Sequence, residues 1–120
     1  MPSERGVRLQ VYGIRSCDSC RNALKWLQSI DADYEFHDLR EGGLPGGQLD
    51  TWLASPYAPS LLNRRSTTWR QLPGDQKLLA DRDLATLLAR YPTLIKRPVI
   101  TEGEEIVSLG FDPERLKARL

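Results

Sequence analysis

Two cysteines separated by two residues, Cys17 and Cys20, are the residues of this 120-residue chain whose type and spacing most directly suggest chemistry. Three positions apart on a helix, their Cβ atoms lie about 5 to 6 Å from each other. That separation brings a disulfide within reach after local adjustment. We predict that the Cys17 thiolate attacks an oxidised sulfur or an oxyanion, that Cys20 resolves the product by closing a disulfide, and that an external thiol resets the pair. The alternative is that both cysteines are small buried core residues.

The position of Cys17 in the sequence favours the thiolate. Alternating apolar residues predict a strand over residues 7–14, and a helix is predicted to begin near Asp18, so that Cys17 falls in the turn between them. The unpaired N–H groups and the positive end of the helix dipole then point at its sulfur. We expect Arg15 and Arg21 to lower the pKa of Cys17 and Asp18 to raise it, with a net decrease.

A second candidate site is the segment Ile95-Lys96-Arg97-Pro98-Val99. Pro98 directly precedes a predicted strand, where it fixes the backbone, and a cis bond there would aim the neighbouring backbone at the cysteine. Arg97 would then hold an anionic substrate or the thiolate itself through its fork of donors. The alternative is a trans proline that only starts a strand.

A third candidate is the donor-rich segment from Leu61 to Arg70, which contains Arg64 and Arg65. Arginine suits carboxylates and oxyanions, so these two residues are candidates for substrate binding at an anion-binding edge. A solvated loop anchored by a buried Trp69 explains the same residues equally well.

The elements that position these residues follow from hydrophobic periodicity. After the first strand, apolar residues at intervals of three and four predict a helix from about Asp18 to Ile30, and residues 34–39 predict a second short strand. A parallel, right-handed βαβ unit results. In the middle of the chain we expect a short helix around Leu49 to Leu53, stopped by prolines, and a longer one carrying Leu84 to Tyr91.

The last third of the chain predicts a hairpin and a helix. Val99 to Thr101 and Glu105 to Leu109 are expected to pair as antiparallel strands across a Glu-Gly-Glu turn. A final helix should begin with Asp112 as its cap and Pro113 at its first position, and Phe111 should pack on the following turn. The order βαβ, several helices, ββα predicts an α/β protein with a thioredoxin-like fold and a helical insertion.

Composition limits the function classes. The chain has 40% hydrophobic and 28% charged residues and a net charge of +1, so we expect a single domain over residues 1–120 and no direct binding to nucleic acid. No apolar stretch suggests a membrane span or a signal peptide, which predicts a cytoplasmic protein. His37 is the only histidine and there is no second cysteine pair, so we expect no metal site.

Several of these segments, in this order, resemble the arsenate reductase family of the ArsC and Spx type, and most closely its YffB-like reductase branch. The resembling segments are Val11 to Ile14 leading to Cys17-Asp18-Ser19-Cys20-Arg21, Tyr34 to Leu39, Leu61 to Asn63, Thr67 to Arg70, Ile95 to Pro98, and Leu109 to Phe111. The resemblance implies a thioredoxin-like fold, a nucleophile at Cys17, an arginine role at Arg97 and a cis Pro98.

The resemblance also implies an activity. It indicates a thiol-dependent reductase acting on a small oxyanion or a disulfide, with no bound cofactor and with glutathione or a glutaredoxin- or thioredoxin-type dithiol protein as electron donor. One alternative is an Spx-like redox-sensing regulator that binds RNA polymerase. A further alternative is an arsenate reductase, although such enzymes of the family use three arginines, and Gly110 stands where the last would fall while the middle region reads Asn63-Arg64-Arg65.

Overall fold

The computed structural model describes residues 8–42, 44 and 47–120, and its centre is a four-stranded mixed sheet. The strands stand in the order β2-β1-β3-β4, with β1 parallel to β2 and antiparallel to β3, and with β3 antiparallel to β4. The strands are β1 (Leu9–Gly13), β2 (Tyr34–Asp38), β3 (Val99–Glu102) and β4 (Glu105–Leu109). The predicted βαβ unit and hairpin are confirmed. Val7 lies outside the described residues.

Seven α-helices are present in the described part of the chain. They are α1 (Asp18–Ser29), α2 (Gln48–Leu53), α3 (Thr67–Gln71), α4 (Gly74–Lys77), α5 (Leu79–Arg82), α6 (Leu84–Arg90) and α7 (Pro113–Arg119), with short 3₁₀ turns at Ala58–Ser60 and Pro92–Leu94. Several helices lie between β2 and β3, as predicted, and α2 and α6 form where the two named helices were expected. Between these two, α3, α4 and α5 form at positions that were not predicted. Each has five residues or fewer, which is too short for a hydrophobic period to emerge.

Helices cover both faces of the sheet. On one face, α1 and α7 pack over the strands through a buried cluster of Leu9, Val11, Leu27, Ile100, Val107 and Leu116. On the other face, the helices between β2 and β3 pack through a larger cluster that includes Tyr12, Trp52, Leu61, Leu87, Leu88, Leu94, Ile95 and Val99. The alternation of a strand therefore places Leu9 and Val11 in one cluster and Tyr12 in the other.

The start of α7 follows the predicted signals. The Asp112 side chain accepts a hydrogen bond from the Arg115 N–H at 3.2 Å, and Pro113 occupies the first turn. Phe111 packs with Leu116 in the first of the two clusters. No helix in the described ranges combines the length and the apolar character needed to cross a membrane.

Two contacts bring distant segments to the carboxyl end of β1. The Leu39 N–H donates to the Gly13 carbonyl at 2.8 Å, so that the chain leaves β1 and β2 at the same edge. Residues 61–63 pair with residues 94–96 through hydrogen bonds of 2.8 Å from Asn63 N–H to the Leu94 carbonyl and from Lys96 N–H to the Leu61 carbonyl. The insertion is thus tied to the segment that precedes β3.

Candidate active site

Cys17 is the N-cap residue of α1. Its backbone is extended, at φ −83° and ψ 127°, and its N–H donates to the Ile14 carbonyl at 3.0 Å. Its own carbonyl accepts the first helical hydrogen bond, from Arg21 N–H at 2.9 Å. The turn from β1 into the helix therefore fixes Cys17 from both sides. Its side chain is half-buried, so that a reacting partner can reach the sulfur.

The surroundings of Cys17 favour its thiolate. Partial burial raises the pKa of Cys17, but the nearby N–H groups of Cys20 and Ser19, the Cys20 thiol and the Arg97 guanidinium stabilise the thiolate and lower it. The donors outweigh the burial, and the pKa lies below its ordinary value. Hydrogen bonds to the charged form of a group lower the pKa of an acid in this way.

Cys20 has the opposite character. Its side chain is fully buried, and burial together with the negative charge of Cys17 raises the pKa of Cys20 to about 11. The Ile14 N–H donates weakly to its sulfur at 3.5 Å. Both thiols are free in the structure. One thiol is thus half-buried with a lowered pKa, while its neighbour on the same helix face is enclosed and held in the protonated form.

Gly13 makes room for the Cys20 sulfur, a role that the sequence did not reveal. A Cβ atom at Gly13 would lie 2.4 Å from Cys20 Sγ and 3.5 Å from a ring carbon of Phe36. The first distance is far below van der Waals contact, so that any larger residue would displace the thiol. In the sequence, Gly13 only marks the end of a strand pattern, and no spacing rule connects it with a cysteine seven positions later.

Arg97 acts on Cys17, as the sequence predicted. The Arg97–Pro98 bond is cis, and Pro98 is buried. The half-buried Arg97 lowers the pKa of Cys17 and donates through Nη1 to the Thr93 carbonyl at 2.6 Å. Its buried Nε has no partner among the described residues. The Thr93 carbonyl therefore fixes the Arg97 guanidinium, and the Nε–H of Arg97 remains available to donate a further hydrogen bond.

Arg15 and Arg21, which the sequence offered as groups that lower the pKa of Cys17, both lie against carboxylates in the structure. Arg15 lies 3.8 Å from an oxygen of Asp38 and 3.6 Å from one of Glu41. Arg21 pairs with Asp18 one helical turn away. Both guanidinium groups are therefore neutralised by nearby carboxylates, and the arginine that acts on Cys17 is Arg97, 80 residues further along the chain.

Asp38 is a second residue that the sequence did not single out. Its side chain is 6% exposed and accepts the N–H of Arg15 at 3.0 Å and of Arg40 at 2.8 Å. Burial raises the pKa of Asp38, but the two N–H donors lower it by more than burial raises it. The net pKa of Asp38 is therefore below its ordinary value. Asp38 thus links the loop that carries Cys17 to the end of β2.

Arg64 and Arg65 lie beside an open groove, next to Lys96. The structure places neither of them among the groups that act on Cys17. Trp69 is half-buried as an anchor of the same segment, with the Arg64 guanidinium 5.3 Å from its ring centre. Across residues 8–42, 44 and 47–120, no group of three metal-type ligands comes together.

Gly110 has a backbone role at the place where the resemblance would put a third arginine. Its φ is +80°, and its N–H donates to the Pro98 carbonyl at 2.8 Å. A left-handed conformation favours glycine over residues with side chains. The backbone conformation at position 110 therefore favours glycine over arginine.

Comparison with known proteins assigns the chain to a family. The model of the ArsC family matches residues 12–119. An uncharacterised protein of Haemophilus influenzae is 38% identical over 111 residues, covering 92% of this chain and 96% of that protein. The global transcriptional regulator Spx of Streptococcus pyogenes is 29% identical, covering 88% of this chain and 79% of the regulator.

Solved structures give the same grouping. The YFFB protein superposes with a TM-score of 0.82 at 34% identity, covering 92% of this chain and 96% of that one. An arsenate reductase related protein from Brucella melitensis superposes with a TM-score of 0.69 at 36% identity, covering 92% of each chain. The fold is thioredoxin-like, as predicted from the order of the elements.

Proposed function

Because this chain belongs to the ArsC family, we propose that it is a thiol-dependent reductase of disulfide or small oxyanion substrates, with Cys17 as its nucleophile. Glutathione or a dithiol protein supplies the electrons. The observation that carries the proposal is the difference in burial and pKa between the two thiols. Cys17 is half-buried with a lowered pKa, and Cys20 is buried with a raised pKa. A nucleophilic thiol and a resolving thiol require this difference.

The reaction on a disulfide proceeds in four thiol–disulfide exchanges, of which the last two regenerate the protein thiols. The Cys17 thiolate attacks one sulfur of the substrate, forms a mixed disulfide and releases the other sulfur as a thiolate. Cys20 loses its proton and attacks the Cys17 sulfur, which releases the second substrate thiolate and leaves a Cys17–Cys20 disulfide. Two glutathione thiols then reduce this disulfide and leave as glutathione disulfide, so that two electrons pass from glutathione to substrate.

The environment of Cys20 determines the sequence of these steps. Part of the rise in the pKa of Cys20 comes from the negative charge of Cys17 and from donating a hydrogen bond to it. Both effects vanish once Cys17 is bonded to the substrate sulfur, while the positive charge of Arg97 remains and favours the Cys20 thiolate. The pKa of Cys20 therefore falls after the first exchange, and the resolving thiol becomes reactive when it is needed.

The proposal separates this chain from two relatives in function. Arsenate reduction is disfavoured, because the segment at Gly110 is built around a glycine and supplies no third arginine. An Spx-like regulator is the second candidate, supported by the similarity to Spx over 88% of this chain. Under that reading, the cysteine pair would serve as a redox switch for binding RNA polymerase.

Turnover of a small disulfide by the purified protein, with glutathione as the reductant and glutathione disulfide as the measured product, tests the proposal. We expect turnover in the wild type, none in Cys17→Ser, and no comparable rate with arsenate. Redox-dependent capture of RNA polymerase together with no turnover of any thiol would instead establish the regulator.

A further inference from the structure

Arg97 acts on Cys17 through a long side chain whose guanidinium must be held in one orientation. Its Nη1 donates to the Thr93 carbonyl at 2.6 Å. Among residues 8–42, 44 and 47–120, the guanidinium has no carboxylate within ion-pair distance, and its buried Nε has no hydrogen-bond partner. The hydrogen bond to Thr93 is therefore the polar contact that fixes the guanidinium.

Thr93 is held in turn by a residue of α3. Its hydroxyl lies 2.9 Å from the hydroxyl of Thr68, and both side chains are half-buried. The two residues are 25 positions apart in the sequence. This pair of hydroxyls thus joins the helical insertion to the segment that carries Arg97.

The position of Thr68 is itself fixed at the start of α3. The Ser66 hydroxyl caps this helix and donates to the Asn63 carbonyl at 2.8 Å. The Asn63 N–H donates to the carbonyl of Leu94 at 2.8 Å. The start of α3 and the segment of Thr93 are therefore tied together twice, once through the backbone and once through the two hydroxyls.

The effect of an arginine on a thiolate depends on where its donors point. Hydrogen bonds weaken steeply as donor and acceptor move out of line. Groups that act on a reacting atom therefore need neighbours that lock their orientation. The Thr68 hydroxyl supplies such a contact for Thr93 and, through the Thr93 carbonyl, for Arg97.

We propose that Thr68 and Thr93 are positioning residues, which hold the Arg97 guanidinium in the orientation that stabilises the Cys17 thiolate. This inference rests on the proposed function, because it adds two residues to the activation of the nucleophile. The alternative is that the hydroxyl pair only stabilises the packing of α3. The two roles differ in what they do to the titration of Cys17.

The first test measures the pKa of Cys17 from alkylation rates across pH. Thr68→Val removes the hydroxyl and keeps the shape of the side chain. We expect it to raise the pKa of Cys17 by about 0.3 to 0.7 unit, because losing one neutral hydrogen bond behind Arg97 weakens the effect of the guanidinium without abolishing it. Thr68→Ser retains a hydroxyl and should restore the wild-type pKa. An unchanged pKa of Cys17 in Thr68→Val, even with a loss of unfolding free energy, would overturn the proposal.

Thr67→Val is the matched control. Thr67 directly precedes Thr68 in α3, and its side chain is exposed. The same substitution at this position should leave the pKa of Cys17 unchanged. A shift as large as in Thr68→Val would show that any change in the first turn of α3 alters the site, which would contradict a specific role of the hydroxyl pair.

The second test asks whether Thr68 acts through Arg97. In an Arg97→Ala background, Thr68→Val should cause no further rise in the pKa of Cys17, because residues that act through one shared group are not additive. The same rise in both backgrounds would show that Thr68 reaches Cys17 by another route, and it would overturn the proposal.

Turnover separates this proposal from the reductase function. With glutathione and a small disulfide, the acid limb of the pH profile should move upward in Thr68→Val by the same amount as the pKa of Cys17. An acid limb that stays in place would contradict a role of the hydroxyl pair in the reaction. If the wild type showed no turnover, the reductase proposal would fail, and the titrations would still decide whether Thr68 and Thr93 position Arg97.

Discussion

At the scale of single residues, the two neighbouring cysteines differ in their surroundings, and the proposed function depends on that difference. Cys17 stands at the cap of α1, where N–H groups and the Arg97 guanidinium reach its sulfur. Cys20, one helical turn later, is enclosed by Gly13 and the strand end. The motif and the arginine could be predicted from sequence. The enclosure could not, because it depends on packing between β1 and α1.

Replacing Arg97 by alanine should raise the pKa of Cys17 toward the ordinary thiol value of about 8.5, because one donor to the thiolate is lost. Alkylation rates measured across pH report this change. Arg97→Lys should give an intermediate pKa. The control Arg90→Ala removes an exposed arginine whose partner is Gln76 and should leave the titration unchanged. An unaltered Cys17 titration in Arg97→Ala would show that the guanidinium does not act on the sulfur.

Cys20→Ser should trap the first intermediate. Without the resolving thiol, the mixed disulfide between Cys17 and glutathione accumulates, and intact-mass analysis should detect one glutathione per chain. Cys17→Ser is the matched control and should carry no adduct on Cys20, because the Cys20 side chain is fully buried and a substrate in solution does not reach its sulfur. Full turnover by Cys20→Ser with no adduct would remove Cys20 from the mechanism.

Gly13→Ala tests whether glycine is required at this position to make room for the Cys20 sulfur. The added methyl group would lie 2.4 Å from Cys20 Sγ, so we expect the variant to lose about 1 to 3 kcal/mol of unfolding free energy, as overpacked cores do. In a Cys20→Ala background the clash is absent, and the same change should cost little. The unfolding free energies are measured by denaturant unfolding. Equal losses of unfolding free energy in both backgrounds would show that the loss does not come from a clash with Cys20 Sγ.

At the scale of elements, Asp38 joins the ends of β1 and β2 behind the active-site turn. Its folded pKa is lowered, so its ionised form adds stability above the unfolded value of about 3.9. That stability is lost as the pH falls from 3.9 through the folded pKa. We expect Asp38→Asn to flatten the decline of unfolding free energy below pH 4. A decline as steep as in the wild type would mean that other carboxylates cause it.

The elements also show what the sequence could reveal. Long or well-capped elements such as α1, β4 and α7 have a clear period or a clear stop signal, and these were predicted. The short helices α3, α4 and α5 have neither, because their boundaries depend on single caps such as Ser66 and on packing against α6. Their positions matter for the active site, since Thr68 of α3 contacts Thr93, which binds Arg97.

At the scale of the whole molecule, the sheet is the frame that brings distant residues together. Gly13 ends β1, Arg97 precedes β3, and the two strands are neighbours in the sheet. The sequence therefore predicted the meeting of Cys17 with Arg97 once the fold was assigned. Proximity in sequence could not show that Arg15 and Arg21 lie against carboxylates.

The central claim is that Cys17 is an acidic thiol that carries turnover. The most direct measurement follows thiol alkylation across pH in the wild type and in Cys17→Ser, with glutathione-dependent turnover measured on the same samples. The account predicts one thiol that titrates below about 8.5, disappears in Cys17→Ser and is accompanied by turnover only when it is present. Two thiols that both titrate at or above that value, with no turnover in the wild type, would contradict it.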